Sequence, residues 1–336
     1  HRDLHLSLRR QRQMCIRDRS NIAGLPTWFT IRANDDGYIA AKKRVDFLVA
    51  MNVETAREDV LALEPGAAVV YDEPLQLASL RDDLIFYPVP FDKLVADICR
   101  DAKLRRLVRN MIYDGVVARL LDIDMSEMEL ALNRQLGTKP KAVALNKGAL
   151  DAGYQYATDE LEKRDPLLVK RSKKTDGLIL IEGNVAAAIG SMMAGVTVVA
   201  WYPITPSTSL VDAFTGFCKR LRVDPDSGKN RAAIIQAEDE LSALGITIGA
   251  AWAGARSFTS TSGAGISLMN EFIGLAYYAE VPCVIFNIER VGPSTGMPTR
   301  TQQGDIMMCA YASHGDTKHI CLYPNDPKEC FEFAVL

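Results

Sequence analysis

Between residues 178 and 288 the chain alternates five short runs rich in β-branched residues, near 178–182, 196–202, 232–236, 256–261 and 282–288, with stretches of helical periodicity. A strand that returns to the same sheet after a helix must cross over and run parallel to the strand before it. This alternation therefore restricts the segment to a mostly parallel sheet with helices on its faces. A similar series comes earlier: strands are predicted over 29–32, 47–50, 68–71 and 84–87, and amphipathic helices over 94–121 and 128–136. Between the two series, charge is dense around Pro166, which predicts an interdomain linker over 159–177. The expected fold class is α/β, with two successive α/β domains of mostly parallel sheet over 20–158 and 178–336. A length of 336 residues allows each domain a core.

Residues 1–19 fit neither series. They carry six Arg and two Asp with no apolar period, and 13–19 resembles translated sequencing-adapter sequence, so a foreign or disordered leader is expected there. No ending signal precedes Leu336, and the chain is expected to be a fragment at both ends. The net charge is −3 overall and about −7 beyond residue 19, which argues against a nucleic-acid surface. Seven Cys occur with no CxxC and no ligand-spaced His, so neither a disulfide framework nor a metal or iron–sulfur site is expected in this chain, and a reducing cytoplasm is. The uncharged stretch 183–211 is rich in small residues and broken by Pro203 and Pro206, unlike a membrane span.

The candidate chemistry sits where strands end. After the run at 196–202, Thr205 can cap a helix with Pro206 as its first residue, giving either an anion-binding turn or an ordinary capped helix. After 232–236, positions 237, 240, 241, 244 and 248 share a helix face on which Glu240 is the single acid. An acid there is costly without a partner, so it is either functional or a first-turn acid complementing the helix dipole, while Glu238 and Asp239 read as solvated. Ser262-Gly263-Ala264-Gly265 forms a small-residue turn after 256–261. Arg290 follows 282–288, either as a bidentate carboxylate clamp or as a surface ion pair. His314 and His319 read as structural, and no Ser-His-Asp or Cys-His pattern appears.

Several of these strings together resemble one family. Glu182-Gly183-Asn184, Trp201-Tyr202-Pro203-Ile204-Thr205-Pro206-Ser207, Gln236-Ala237-Glu238-Asp239-Glu240, the segment from Thr261 to Met269 and the segment from Gly292 to Thr299 are similar to the α subunit of 2-oxoacid:ferredoxin oxidoreductases. The form resembled is the one with a γ domain fused upstream, and Ser20 to Pro26 and Leu121 to Met125 resemble that γ part. Ala264 stands where the family usually has Pro.

The resemblance implies CoA-dependent oxidative decarboxylation of a 2-oxoacid with reduction of ferredoxin, the 2-oxoglutarate branch being favoured by the fused layout. It implies a pyrimidine-binding domain for thiamine diphosphate over 178–336. A partner β subunit would bring the diphosphate site, Mg²⁺ and a [4Fe–4S] cluster. Glu240 would hydrogen-bond N1′ of the aminopyrimidine, Thr205 and Arg290 would approach the oxoacid, and Tyr202, Pro203, Ile204, Ser262 and Gly263 would line the cofactor. No nucleic acid or membrane partner is implied. The alternative is a non-catalytic assembly or regulatory chain that keeps the fold without thiamine diphosphate. A dinucleotide-binding dehydrogenase would need a glycine fingerprint that this sequence lacks.

Overall fold

The computed structural model describes residues 28–34, 36–37 and 42–336. The leader at 1–19 and the motif at 20–26 lie outside these residues. The described residues fall into two compact units that divide between Leu178 and Ile179.

In the first unit, β1 (Phe47–Ala50), β2 (Ala68–Asp72) and β3 (Ile85–Val89) form a parallel sheet in that order. The central strand β2 is buried at every position, as a parallel strand covered on both faces must be. Its side chains alternate between two cores. Val69 and Tyr71 pack with Val60 of α1 (Ala56–Leu61) and Phe86. Ala68 and Val70 pack with Tyr87, Val89 and three helices: α2 (Phe91–Ile98), α3 (Ala102–Leu120) and α5 (Pro140–Glu160).

The structure corrects several expected elements of this unit. Residues 29–32 do not form a strand. The helix expected over 94–121 is two helices, because the Asp101 carboxylate accepts from Lys103 N at 2.8 Å and starts α3 anew. The helix expected over 128–136 begins three residues earlier, as α4 (Met125–Leu136), because Asp124 caps it through Ser126 N. The 21-residue α5 was not foreseen. Glycine disfavours a helix interior, yet Gly153 of α5 and Gly115 of α3 serve a close crossing of the two helices. A Cβ on Gly153 would stand 2.0 Å from the Ile112 carbonyl oxygen, and one on Gly115 would stand 2.0 Å from that of Leu150.

Part of the charged segment 159–177 is tied to the first unit. The buried carboxylate of Asp165 accepts from Tyr87 OH at 2.6 Å, Lys163 Nζ at 2.9 Å and Leu167 N at 2.9 Å. Burial pushes the Tyr87 phenol above its ordinary pKa, and its bond to Asp165 adds to the rise.

In the second unit four parallel strands run in the order β5-β4-β6-β7: β4 (Val198–Trp201), β5 (Ala233–Gln236), β6 (Ser257–Thr261) and β7 (Val284–Asn287). On one face lie α6 (Gly183–Met193), α7 (Thr208–Leu221) and α11 (Pro327–Val335), around Val199, Phe214 and Phe258. On the other lie α8 (Glu240–Trp252) and α9 (Gly263–Tyr278), around Leu244, Ile248 and Met269. A short α10 (Ile306–Ala310) completes the helices of this unit. The strand expected over 178–182 is absent: Leu178, Ile179 and Leu180 are exposed and belong to no strand. No helix among the described residues is long and apolar enough to cross a membrane.

The chain leaves β4 for β5 on one side and returns to β6 on the other. The carboxyl ends of β4 and β6 thus flank a topological switch point, where open parallel sheets form their ligand crevice.

The glycine reading gives opposite signs at two helical positions. Gly153→Ala forces a Cβ onto a carbonyl oxygen and should destabilise the chain by about 1–3 kcal/mol. Gly216→Ala in α7 meets nothing within 4 Å and should stabilise it by about 0.5–1 kcal/mol. Denaturant unfolding of both variants checks the pair.

Candidate functional site

All four strands of the second sheet deliver polar residues to the same edge. After β4, residues 205–207 form a turn and α7 begins at Thr208, two residues later than expected. The local polar groups hold Pro206 in that turn: Asn184 Nδ2 donates to Pro206 O at 3.2 Å and to Ser209 Oγ at 2.7 Å, and Thr208 Oγ1 donates to Ile204 O at 3.3 Å. Ser207, not Thr205, occupies the N-cap position, and its hydroxyl caps nothing.

After β5, Asp239 is the N-cap of α8 and accepts from Ser242 N at 2.7 Å. That backbone N–H is the main reason its carboxyl lies below the usual range. Glu240 is then the first residue of the helix and only 9% exposed. Its face comprises Ala243, Leu244, Thr247 and Ile248, all buried, which is the helical i, i+3, i+4, i+7, i+8 pattern. Leu241, expected on that face, is half-buried, while Glu238 is exposed.

After β6, Ser262 is the N-cap of α9 and fully buried. Gly265 explains how the helix start comes against the acid. A Cβ there would stand 1.9 Å from Thr261 Oγ1 and 3.0 Å from Glu240 Cγ. At Gly263 a Cβ would stand 2.2 Å from Asp305 Oδ2, so a carboxylate from the loop after β7 lies over the start of α9.

After β7 comes Arg290, 7% exposed. Its Nη1 donates to Thr205 O at 2.8 Å, joining the ends of β7 and β4. Burial pushes the guanidinium below its ordinary pKa, and the Glu240 charge opposes that fall. Arg290 is thus an interior cation in the field of Glu240. Beside it, Glu289 is raised, first by burial and then by the Asp305 charge, although Gly304 N–H donates to it at 3.1 Å.

Among the sequence-derived candidates, Thr205, Glu240, Ser262, Gly263 and Arg290 come together at this edge. Tyr202 and Ile204 are half-buried in the turn after β4, and Pro203 is exposed. Residues 292–297 form an exposed hairpin tip closed by the bridge between Val291 and Met297. His314 is exposed, and His319 sits 2.9 Å from Ala312 O with its ring edge-on to Tyr277. The described residues contain no group of three or more side chains able to hold a metal ion.

Sequence reasoning passed over Asp305 and the hydroxyls inside β6. Thr259, Ser260 and Thr261 are all buried, and Thr259 Oγ1 and Ser260 Oγ make no hydrogen bond. The available signal was a run of hydroxyl residues in a strand that parallel packing was bound to cover on both faces.

Comparison with known proteins agrees with this architecture. Residues 189–336 match the family described as pyruvate flavodoxin/ferredoxin oxidoreductase, thiamine diphosphate-binding. Residues 18–156 match the family described as pyruvate ferredoxin/flavodoxin oxidoreductase. The chain is 32% identical over 368 residues to subunit alpha of 2-oxoacid:ferredoxin oxidoreductase 1 of Aeropyrum pernix, covering 94% of this chain and 56% of that one. It is 44% identical over 156 residues to the 2-oxoglutarate synthase subunit KorA of Methanocaldococcus jannaschii, covering 46% and 40%. A solved 2-oxoglutarate:ferredoxin oxidoreductase from Magnetococcus marinus, with 2-oxoglutarate, coenzyme A and succinyl-CoA bound, superposes with a TM-score of 0.79 at 30% identity, over 91% of this chain and 51% of that one. The chain spans about half the length of the relatives that it matches along most of its own length. With both halves matched in order, the chain belongs to the 2-oxoacid:ferredoxin oxidoreductase α-subunit family.

Proposed function

We propose that this chain is the α component of a cytoplasmic, CoA-dependent 2-oxoacid:ferredoxin oxidoreductase. It would convert a 2-oxoacid to acyl-CoA and CO₂ while ferredoxin is reduced. The observation that carries this reading is the burial of an acid, Glu240, and a cation, Arg290, on the segments that follow β5 and β7 at the carboxyl edge of the sheet. 2-Oxoglutarate is the favoured substrate, supported by the relatives named for it and by the ligands of the Magnetococcus marinus structure.

The donor set at this edge suits an aminopyrimidine. A carboxylate is the single charged group on a buried helix face, next to a glycine that admits close approach. Thiamine diphosphate, when bound, supplies the electron sink for cleaving the bond to the carboxylate carbon. Glu240 would hold the proton at N1′ of the pyrimidine. Tyr202, Pro203, Ile204, Ser262 and Gly263 would line the ring. Arg290, fixed through Nη1 to the Thr205 carbonyl, would present its Nη2 N–H groups to the oxoacid carboxylate, with Thr205 beside it. A β subunit would bring the diphosphate and Mg²⁺ end and the [4Fe–4S] cluster that passes electrons to ferredoxin.

Two substitutions in the reconstituted complex test these roles. Glu240→Gln keeps the shape and removes the proton-holding group, so turnover should fall by about 10²- to 10⁴-fold with the fold retained by circular dichroism. Near-wild-type turnover would remove Glu240 from the chemistry. Arg290→Lys cannot hold both the Thr205 carbonyl and a substrate carboxylate with a planar fork. If Arg290 grips the carboxylate equally in ground and transition states, KM should rise far more than kcat falls, by about 1.5–3 kcal/mol in kcat/KM. A lowered melting temperature with unchanged KM would mark Arg290 as purely structural.

A further inference from the structure

Besides Oδ1 of Asn287, whose Nδ2 donates to Cys309 Sγ on the opposite face, four buried polar atoms near the carboxyl edge of the second sheet make no hydrogen bond: the hydroxyl oxygens of Ser207, Ser260 and Ser262, and Nε of Arg290. Each of these four belongs to a side chain more than nine-tenths buried. The topology gathers them on one face. Along β6, Phe258, Ser260 and Ser262 alternate to the same side. That side is fixed by the Phe258 ring, edge-on to Phe214 of α7 at 5.4 Å and to Phe286 of β7 at 5.1 Å. Ser207 occupies the N-cap of α7, the helix that covers this face, and its hydroxyl is unused there. Arg290 enters the same turn, bonding the Thr205 carbonyl two residues before Ser207.

A buried hydroxyl or guanidinium N–H without a partner is costly, and native interiors rarely leave one so. Four together, three of which can donate or accept as needed, satisfy what a buried water requires, about two to four polar partners. We propose that Ser207, Ser260 and Ser262 hold buried water against Nε of Arg290, and that Ser207 and Ser260 are positioning residues for that guanidinium. The N–H of Nε donates to the water, and the water in turn bonds the hydroxyls. The bond from Nη1 to Thr205 O fixes one point of the guanidinium, and a second tether at Nε would fix its plane. The positioning role rests on the proposed binding of the oxoacid carboxylate by Arg290, whereas the water site does not.

The test uses the reconstituted complex of wild type, Ser260→Ala and Ser260→Thr, with crystal structures, melting temperatures and oxoacid kinetics for each. The wild type should show a water oxygen within about 3.2 Å of at least two of the four atoms. Ser260→Ala should melt roughly 2–4 °C lower and raise KM roughly tenfold, with kcat changed far less. Ser260→Thr, which keeps the hydroxyl, should restore both. No water in the wild type, or Ser260→Ala melting at or above wild type, would overturn the water site. Water present and melting lowered but KM unchanged would overturn the positioning role alone. A wild-type complex without oxoacid activity would overturn the functional reading and the positioning role with it, while density and melting would still decide the water site.

Discussion

Parallel pairing of β4 on both sides is the constraint from which the second unit follows. A strand with β5 on one edge and β6 on the other spends its backbone N–H and C=O groups on its neighbours. Helices cover both faces, so the strand ends are where the chain can offer polar groups to a ligand. Four ends deliver a hydroxyl turn, an acid, a glycine-rich helix start and a guanidinium to one edge. The glycines accord with crowding there: Gly265 leaves room for the Thr261 hydroxyl and the Glu240 side chain, and Gly263 for the Asp305 carboxylate.

Burial of charge separates this edge from an ordinary sheet terminus. Desolvating a guanidinium costs free energy, and the opposing Glu240 charge with one carbonyl bond offsets that in part. Buried ion pairs are weak sources of stability, because well-packed apolar groups of similar size often do as well or better. Arg290 and Glu240 are thus buried at a cost that folding alone does not require, as the proposed binding roles would demand. The contrast lies within the same chain, where the exposed Arg231 side chain meets Asp224 at 2.6 Å on the surface, the setting in which ion pairs add little.

Much of this was legible in the sequence, because alternation of strand and helix patterns survives without tertiary knowledge. The four strands of the second sheet and Glu240 as the single acid on a buried helix face come from periodicity alone. What escaped depends on contacts that no local pattern carries. Helix α5 escaped because glycines disfavour a helix interior, and only the Ile112 carbonyl, distant in sequence, shows why Gly153 is there. The run at 178–182 has strand composition but finds no neighbouring strand among the described residues. Thr205 looked like a cap because local sequence cannot reveal that Asn184 claims the Pro206 carbonyl. The hydroxyls of β6 and the Asp305 carboxylate gain meaning only once the sheet is assembled.

In the proposed function this edge is half of a thiamine diphosphate site, completed by a second subunit. Calorimetric titration of thiamine diphosphate with Mg²⁺ into this chain alone, into the β subunit alone and into the reconstituted complex tests it most directly. Binding should be tight and stoichiometric in the complex and at least about a hundredfold weaker with this chain alone. Equally tight binding by the isolated chain, or no binding by the complex, would contradict it.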